Sequence, residues 1–597
     1  MVSASWALGG IALVAVATFA IGIWGSSTAR TTSDLLVARR LVREERNAAA
    51  ISGEYLSAAS FLGIAGLILK DGVDALWYPI GFASGYLAVL LFVAAPLRRS
   101  GAYTIPDFVE ARLDSLRLRW FSTVFVVLIG VLYLIPQFQA AGLTLATVSG
   151  VPFWAGVLAV AVLVMAGVLS GGMRAVTLVQ AFQYWVKLFA ITVPAFVLFG
   201  VFLTGGSHGV RLESPGPEFQ HDTVVQVQTP VRLHVAEPVW VDVTGSPAPS
   251  GDGPLQPRGH AEVFVSAGDY QVDKGTQLRF PAHSPVPVVA DADPDNASWL
   301  HPQDGGPDSL VETYSLILAT FLGTMGLPHV LIRFYTNPSG HAARRTALFV
   351  LLLLGMFFLF PTIFGLLSRL FVPELLVTGT TDAAVLLLPN AMLSGWPGTL
   401  LTVLTAAGAF AAFVSTSSGL VVSIAGVVST DLLRDRGVDA RLVLVATALL
   451  PVALSLVLPQ DDLPRGVGLA FALAASTFCP LLILGVWWRG LTAAGAGAGL
   501  TTGGVLVLAA MGASAMWPET DGIAGALLRQ PALVTVPIAF STAVLVSFAT
   551  RARLPGGVSR IMLRMHAPDR LGFQDGPATR ASGRGRRSVP EGRHRRR

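Results

Sequence analysis

An all-α protein that crosses a membrane many times is predicted by three features of this sequence: its apolar excess, the spacing of its apolar runs and the placement of its arginines. Of 597 residues, 53% are hydrophobic and only 13% charged, whereas soluble proteins carry about 25% charged residues. A soluble core cannot absorb that much apolar surface, and the mean hydropathy of +0.63 says the same. Apolar stretches of about 18 to 25 residues recur, each long enough to cross about 30 Å of hydrocarbon as a helix rising 1.5 Å per residue.

Reading these stretches between polar breaks gives about thirteen helices, centred near residues 15, 60, 87, 133, 161, 190, 322, 357, 412, 449, 477, 501 and 540. The first, from about Trp6 to Trp24, reads as a retained helix, because no cationic segment precedes it and no clear small-residue cleavage site follows. Short connections after the odd-numbered helices up to the eleventh carry Arg39 and Arg40, Arg98 and Arg99, Arg174, Arg344 and Arg345, Arg434 and Arg436, and Arg489. All six connections fall on one side of the membrane. The positive-inside rule makes that side cytoplasmic, with the N-terminus outside and the C-terminus inside. The cell inner membrane is the expected location.

The helices divide into residues 1–204, with a first repeat over about 49–204, and residues 309–550, with a second over about 309–488. Between them, residues 205–308 are acidic and proline-rich, and Val225, Val227, Val231, Leu233, Val235, Val239, Val241 and Val243 alternate with period two. That pattern predicts a small β-rich extracellular insert, although Pro230 and Pro238 interrupt the alternation and leave a disordered acidic segment as the alternative. Residues 551–597 are basic and poorly hydrophobic, as expected of a disordered cytoplasmic tail near anionic lipid.

Helices two to six and seven to eleven form two sets of five, and the odd offset makes corresponding helices enter from opposite faces. The leading member of each set carries small residues at mid-depth: Gly53, Ser57, Ala58, Ala59 and Ser60 in one, and Gly323, Thr324, Gly326 and Pro328 in the other. Interrupted helices at matching places in two inverted halves point to a transporter's binding site. Taken singly, such clusters also serve close helix packing.

Several segments resemble the sodium/solute symporter family, and particularly its acetate permease branch of short-chain monocarboxylate carriers. They are Gly53-Glu-Tyr-Leu-Ser-Ala-Ala-Ser-Phe-Leu-Gly63, Tyr103-Thr-Ile-Pro-Asp107, Tyr133-Leu-Ile-Pro-Gln137, Gly171-Gly-Met173, Gly323-Thr-Met-Gly-Leu-Pro-His329 with Arg333-Phe334, and Gly468-Leu-Ala-Phe471. The resemblance runs from about residue 10 to 550, the insert excepted. It implies a LeuT-like fold of two inverted five-helix repeats with peripheral helices, binding substrate and sodium near the midplane. The implied activity is sodium-coupled symport of a monocarboxylate such as acetate, propionate or pyruvate, with the proton as the alternative ion and no organic cofactor. Symport of another solute such as proline, or a transporter-like sensor of a small organic acid, are the competing readings.

By the same resemblance, the sodium ligands are the Gly53, Leu56 and Ala412 carbonyls and the Ser415 and Thr416 hydroxyls. Positions 412, 415 and 416 share one helical face. Tyr55, Ser57, Gln137, Lys187, Gly323 and Thr324 are the expected substrate contacts. Charges at depth cost about 2.5 to 3.5 kcal/mol each on insertion scales, so Glu54 and Lys187 need a reason. They pair with each other, or Lys187 reaches the cytoplasmic face, or Lys187 meets a carboxylate while Glu54 tunes coupling. Gln137 and Gln139 bond between helices or touch substrate. Arg333 reads as an orientation charge, and Asp431 as a surface partner of Arg434 or a helix cap.

Cys479 is the single cysteine, so neither an intrachain disulfide nor a cysteine metal site is open to the chain. A GxxxxGK loop and an HExxH helix are also absent from the sequence, which leaves ATP-driven pumping, metal hydrolysis and enzyme function in general without support. The expected partners are the small acid and the lipid bilayer, no nucleic acid, and an unknown ligand or protein at the insert.

Overall fold

The computed structural model describes residues 4–26, 42–170, 173–204, 216–244, 250–251, 256–258, 262–301, 306–432, 439–459, 463–517 and 520–571. The first half runs through α1 (Ala4–Ser26), α2 (Glu44–Tyr55), α3 (Ile64–Asp71), α4 (Trp77–Ala88), α5 (Ala94–Ser100), α6 (Ile105–Leu113), α7 (Leu116–Ser149), α8 (Phe153–Ser170) and α9 (Met173–Thr204). The second runs through α10 (Asn296–Leu300), α11 (Gly306–Thr324), α12 (Pro328–Ile332), α13 (Gly340–Phe371), α14 (Glu374–Thr378), α15 (Ala384–Met392), α16 (Trp396–Val427), α17 (Ala440–Val457), α18 (Leu463–Trp487), α19 (Ala493–Met516), α20 (Gly522–Arg529), α21 (Ala532–Ala549) and α22 (Val558–His566). Among the described residues, ten stretches are long and apolar enough to cross a membrane, and one of them, Ala59–Ser100, holds two helices joined through Gly72–Leu76. With the shorter apolar helices Phe153–Leu169 and Arg441–Val457, every expected helix centre falls within helical structure. Arg39, Arg40, Gly171, Gly172, Arg434 and Arg436 lie outside the described residues, as does the tail past 571.

Local chemistry places the helix ends. Thr104 and Ser115 accept from the backbone N–H groups of Asp107 and Leu118, which caps α6 and α7. Gly150, at φ +72°, ends α7 in the left-handed conformation that glycine adopts without strain. Ser339 caps α13 in the same way as Ser115 caps α7.

Among the described residues, two helices that carry the small-residue clusters are broken along their length. The first break separates α2 from a π-helical turn, Ala59–Gly63, that leads into α3, and Leu56 and Ser57 lie between them. The second separates α11 from α12 at residues 325–327. These are the two positions where the small-residue clusters suggested interruption.

Between the two halves, nine strands form two antiparallel sheets: β1 (Thr223–Gln226), β2 (Val231–Val235), β3 (Val239–Thr244), β4 (Ser250–Gly251), β5 (Gln256–Arg258), β6 (Glu262–Val265), β7 (Gly268–Val272), β8 (Gln277–Phe280) and β9 (Val288–Val289). One sheet has the order β1-β8-β3-β6-β5 and the other β4-β7-β2-β9. Leu233, Tyr270 and Val272 of one sheet and Val241, Leu278 and Phe280 of the other line a shared apolar interior. Pro230 and Pro238 do not disrupt the pattern, because each falls in the connection just before a strand, where no ladder hydrogen bond is lost.

The β unit is tied to the helices after its last strand. Trp299 is buried, donates from Nε1 to the Ile68 carbonyl at 2.8 Å, and has the Arg369 guanidinium carbon 5.0 Å from its ring centroid. Asp291 pairs with Lys70 at the end of α3 and with Arg465 in α18 at 3.0 Å, and Arg465 reaches Asp71 at 3.1 Å.

Candidate functional site

Breaking α2 at Leu56 releases carbonyl groups that a continuous helix would have used. Leu56 N still bonds back to Ser52, but Ser57 N turns to the Tyr55 carbonyl at 2.8 Å, and Ala58 N is capped by the Gln137 side chain at 3.0 Å. The Gly53, Glu54 and Leu56 carbonyls therefore face outward from the break, toward α9 and α16. Buried carbonyls must find donors. Ser415 Oγ donates to Gly53 O at 2.5 Å and lies 3.2 Å from Ala412 O, and Thr416 Oγ1 donates to Glu54 O at 2.6 Å.

Lys187 supplies the remaining donors. Its ammonium bonds to the carbonyls of Gly53 and Leu56, the latter at 2.7 Å, and to Ser415 Oγ at 2.8 Å. Gly53 allows α2 to come this close to α9, since a Cβ at this position would lie 2.2 Å from the Gln180 carbonyl. The structure thus brings Gly53, Leu56, Ala412 and Ser415 together around Lys187, with Thr416 beside them. A sodium ion among these oxygens would need lone pairs already held by an ammonium, so the residues present do not fit the ion while Lys187 stands there.

Glu54 and Lys187 do not form the ion pair that was one reading of their depth. Glu54 pairs with Arg333, whose Nε lies 2.7 Å from Oε2. Arg333 also donates to Thr177 Oγ1 at 2.8 Å and to the Gln180 side chain, while Gln180 Nε2 reaches the Ser415 carbonyl at 2.9 Å. Arg333 is fully buried and is therefore not an orientation charge. Part of this cluster was legible in the sequence: Thr177 and Gln180 stand three apart on the helical face that also carries Lys187. Nothing local to Arg333 announced its partner, 279 positions away. Asp431 is also corrected. It is buried, and it accepts from Arg119 at 3.0 Å and Thr123 at 3.2 Å, within a cluster that includes Asp107.

A second set of predicted residues gathers between the two breaks. Tyr55 OH lies 3.0 Å from Thr324 Oγ1 and donates to the Phe82 carbonyl at 3.1 Å, which joins the first broken helix to the second and to α4. Around it stand Phe82, Tyr86 and Phe471, and the Tyr133 ring packs against both Phe471 and His329. The Tyr86 hydroxyl and both His329 ring nitrogens are buried without a hydrogen-bond partner. Ser57 is buried at the break, and Gln137 spends its carbonyl oxygen on the Ala58 cap. Gly323 serves packing, since a Cβ there would stand 2.5 Å from the Phe471 carbonyl of α18. Tyr86 and His329 are additions that the sequence reading did not place in this cluster.

Comparison with known proteins puts these features in a wider frame. A family model described as the sodium:solute symporter family matches residues 36–215 and 286–503, and passes over the strand-rich segment between them. The uncharacterized symporter YwcA of Bacillus subtilis is 28% identical over 544 residues, covering 88% of this chain and 90% of the relative. A monocarboxylic acid transporter of Corynebacterium glutamicum is 28% identical over 541 residues, covering 86% of each. Among solved structures, a Na+-coupled sialic acid symporter in its substrate-bound outward-open state aligns with a TM-score of 0.58 at 14% identity, covering 90% of this chain and 98% of that one. At that identity the alignment speaks for the fold alone, which is the LeuT-like arrangement that the family resemblance implied.

Proposed function

This chain belongs to the sodium:solute symporter family of multi-pass transporters, which are not enzymes, and from that premise we propose that it carries a short-chain monocarboxylate such as acetate, propionate or pyruvate by alternating access. The observation that carries the reading is the buried cluster of aromatic and polar side chains at the two helix breaks. Non-helical backbone at membrane depth is tolerated only where it is buried in protein or lines a cavity, and in transporters it marks the place where solute and ion are held. Here the breaks at residues 56–57 and 325–327 are joined through Tyr55 and Thr324, and they face aromatic rings with the unpartnered polar atoms of Tyr86 and His329. Aromatic rings with a few polar atoms among them are a lining that suits a small solute with one polar end. The relative named as a monocarboxylic acid transporter supports the choice of solute.

Sodium is the coupling ion that the family's description names, and symport driven by a sodium gradient is the proposed mode, with the ion held away from the oxygens that Lys187 occupies and with the proton as the alternative. Tyr55, Ser57, Thr324 and His329 are the proposed solute contacts. Purified protein in liposomes decides the matter: labelled acetate, propionate, pyruvate and proline are offered under separate sodium and proton gradients. Accumulation of an acid above its equilibrium level is the expected result. Binding without accumulation would favour a receptor, and accumulation of proline alone would overturn the choice of solute.

A further inference from the structure

The oxygens at the first break have the composition of a sodium site, yet the chain has placed its own cation among them. We propose that the Lys187 ammonium is the resident cation of this site and takes the place that a sodium ion would otherwise occupy. The inference rests on the symporter reading only for the expectation that an ion belongs there; the assignment itself comes from the contacts.

An ammonium has three N–H donors and no acceptor. Lys187 directs its donors to Gly53 O, Leu56 O and Ser415 Oγ, three of the five oxygens expected to ligate sodium. The side chain is completely buried. Glu54, the carboxylate of the neighbouring α2, is bound to Arg333, so the ammonium is met by carbonyl dipoles and a hydroxyl, as a metal ion would be.

Charge and space both exclude a second cation. With Glu54 as a carboxylate, Arg333 as a guanidinium and Lys187 as an ammonium, the three buried side chains carry one net positive charge, and sodium in contact with the same oxygens would raise it to two. Like charges at such separation repel strongly where the effective dielectric is low. An ion sharing Gly53 O, Leu56 O and Ser415 Oγ would also overlap the nitrogen that now touches all three. Removing the lysine side chain takes one positive charge away and leaves the oxygens uncovered, and a sodium ion would then restore the original balance.

The arrangement also performs the mechanical task expected of the ion. A shared cation holds the broken helix against α16 only while both supply ligands. Here Lys187 reaches from α9 to both, and the Ser415 and Thr416 hydroxyls cross-link α16 to the Gly53 and Glu54 carbonyls directly. Three helices are thereby pinned at one point by covalently attached groups.

Binding of 22Na+ to purified full-length protein tests this without knowledge of the transported solute. Wild type is expected to show no 22Na+ binding that Ser415→Ala removes. Lys187→Ala is expected to gain saturable binding, which Ser415→Ala introduced on top should abolish. Saturable wild-type binding weakened tenfold or more by Ser415→Ala would overturn the proposal. So would a monodisperse Lys187→Ala protein that gains none. If Lys187→Ala does not fold, Lys187→Ser serves in its place, and the wild-type comparison with Ser415→Ala decides independently. Failure to transport a monocarboxylate would sink the proposed solute and leave this result untouched.

Discussion

At the scale of single residues, the buried charges are held by specific partners. Glu54 and Arg333 are each about 1% exposed and lie 2.7 Å apart. Replacing such a pair by apolar residues is often neutral, whereas removing one member costs about 3 to 5 kcal/mol because the other charge is left uncompensated. Glu54→Gln should therefore lower the thermal midpoint of the purified protein markedly. Glu54→Gln combined with Arg333→Met should recover most of the loss, as read by size-exclusion chromatography after heating. Equal losses in the single and double variants would show that the pair's charges do not matter to stability. The presence of Glu54 and Lys187 was plain in the sequence as charge where charge is costly. Their partners were not, since Arg333 follows a second helix break and its guanidinium reaches Glu54 only after the two halves have packed.

At the scale of elements, the break in α2 and the anchoring of the β unit are both decided by what one segment offers another. Ala58 N would be left without a partner at the break had α7 not brought Gln137 to it. The β unit is fixed to α3 through Trp299, whose ring is buried and whose indole N–H reaches the Ile68 carbonyl. Removing a buried tryptophan side chain costs about 3 to 5 kcal/mol. Trp299→Ala should loosen this unit without disturbing the membrane helices, and limited trypsin digestion should cut it faster at exposed Arg232 or Lys274. An unchanged digestion rate with a correctly folded protein would mean that the Asp291 and Arg369 contacts suffice. The period-two valines foretold the strands; what they could not foretell was that Pro230 and Pro238 would fall between strands.

At the scale of the whole molecule, three of the arginine-bearing connections meet at one end among the described residues. Arg98 donates to the Pro338 carbonyl at 2.8 Å, Arg99 pairs with Asp569 at 2.8 Å, and Arg112 reaches the Gly485 and Trp488 carbonyls. The connections near residues 98, 338 and 488 and the segment following α22 therefore share one face, the one that the positive-inside rule assigns to the cytoplasm. The β unit is expected outside. Val224→Cys and Leu563→Cys place thiols at exposed positions, while Cys479 is buried and silent toward a membrane-impermeant maleimide. Intact cells should label at position 224 and not at 563. The reverse pattern would invert the proposed orientation.

The sequence by itself determined the class of protein and where its helices run, because crossing a lipid layer imposes a length and a hydropathy that every span must meet locally. It also marked the two breaks, since small residues at matching depths in two halves are visible without any knowledge of packing. Ser415, Thr416 and Ala412 could be placed on one face from spacing alone. The occupant of the oxygens they help to form could not. Lys187 lies 134 positions from Gly53 and 228 from Ser415, and only the packing of α2, α9 and α16 carries its ammonium to both. Periodicity fixes which way a side chain leaves its own helix. What that side chain meets is set by three helices closing on one point, and this decides whether the cation there comes from the chain or from solution.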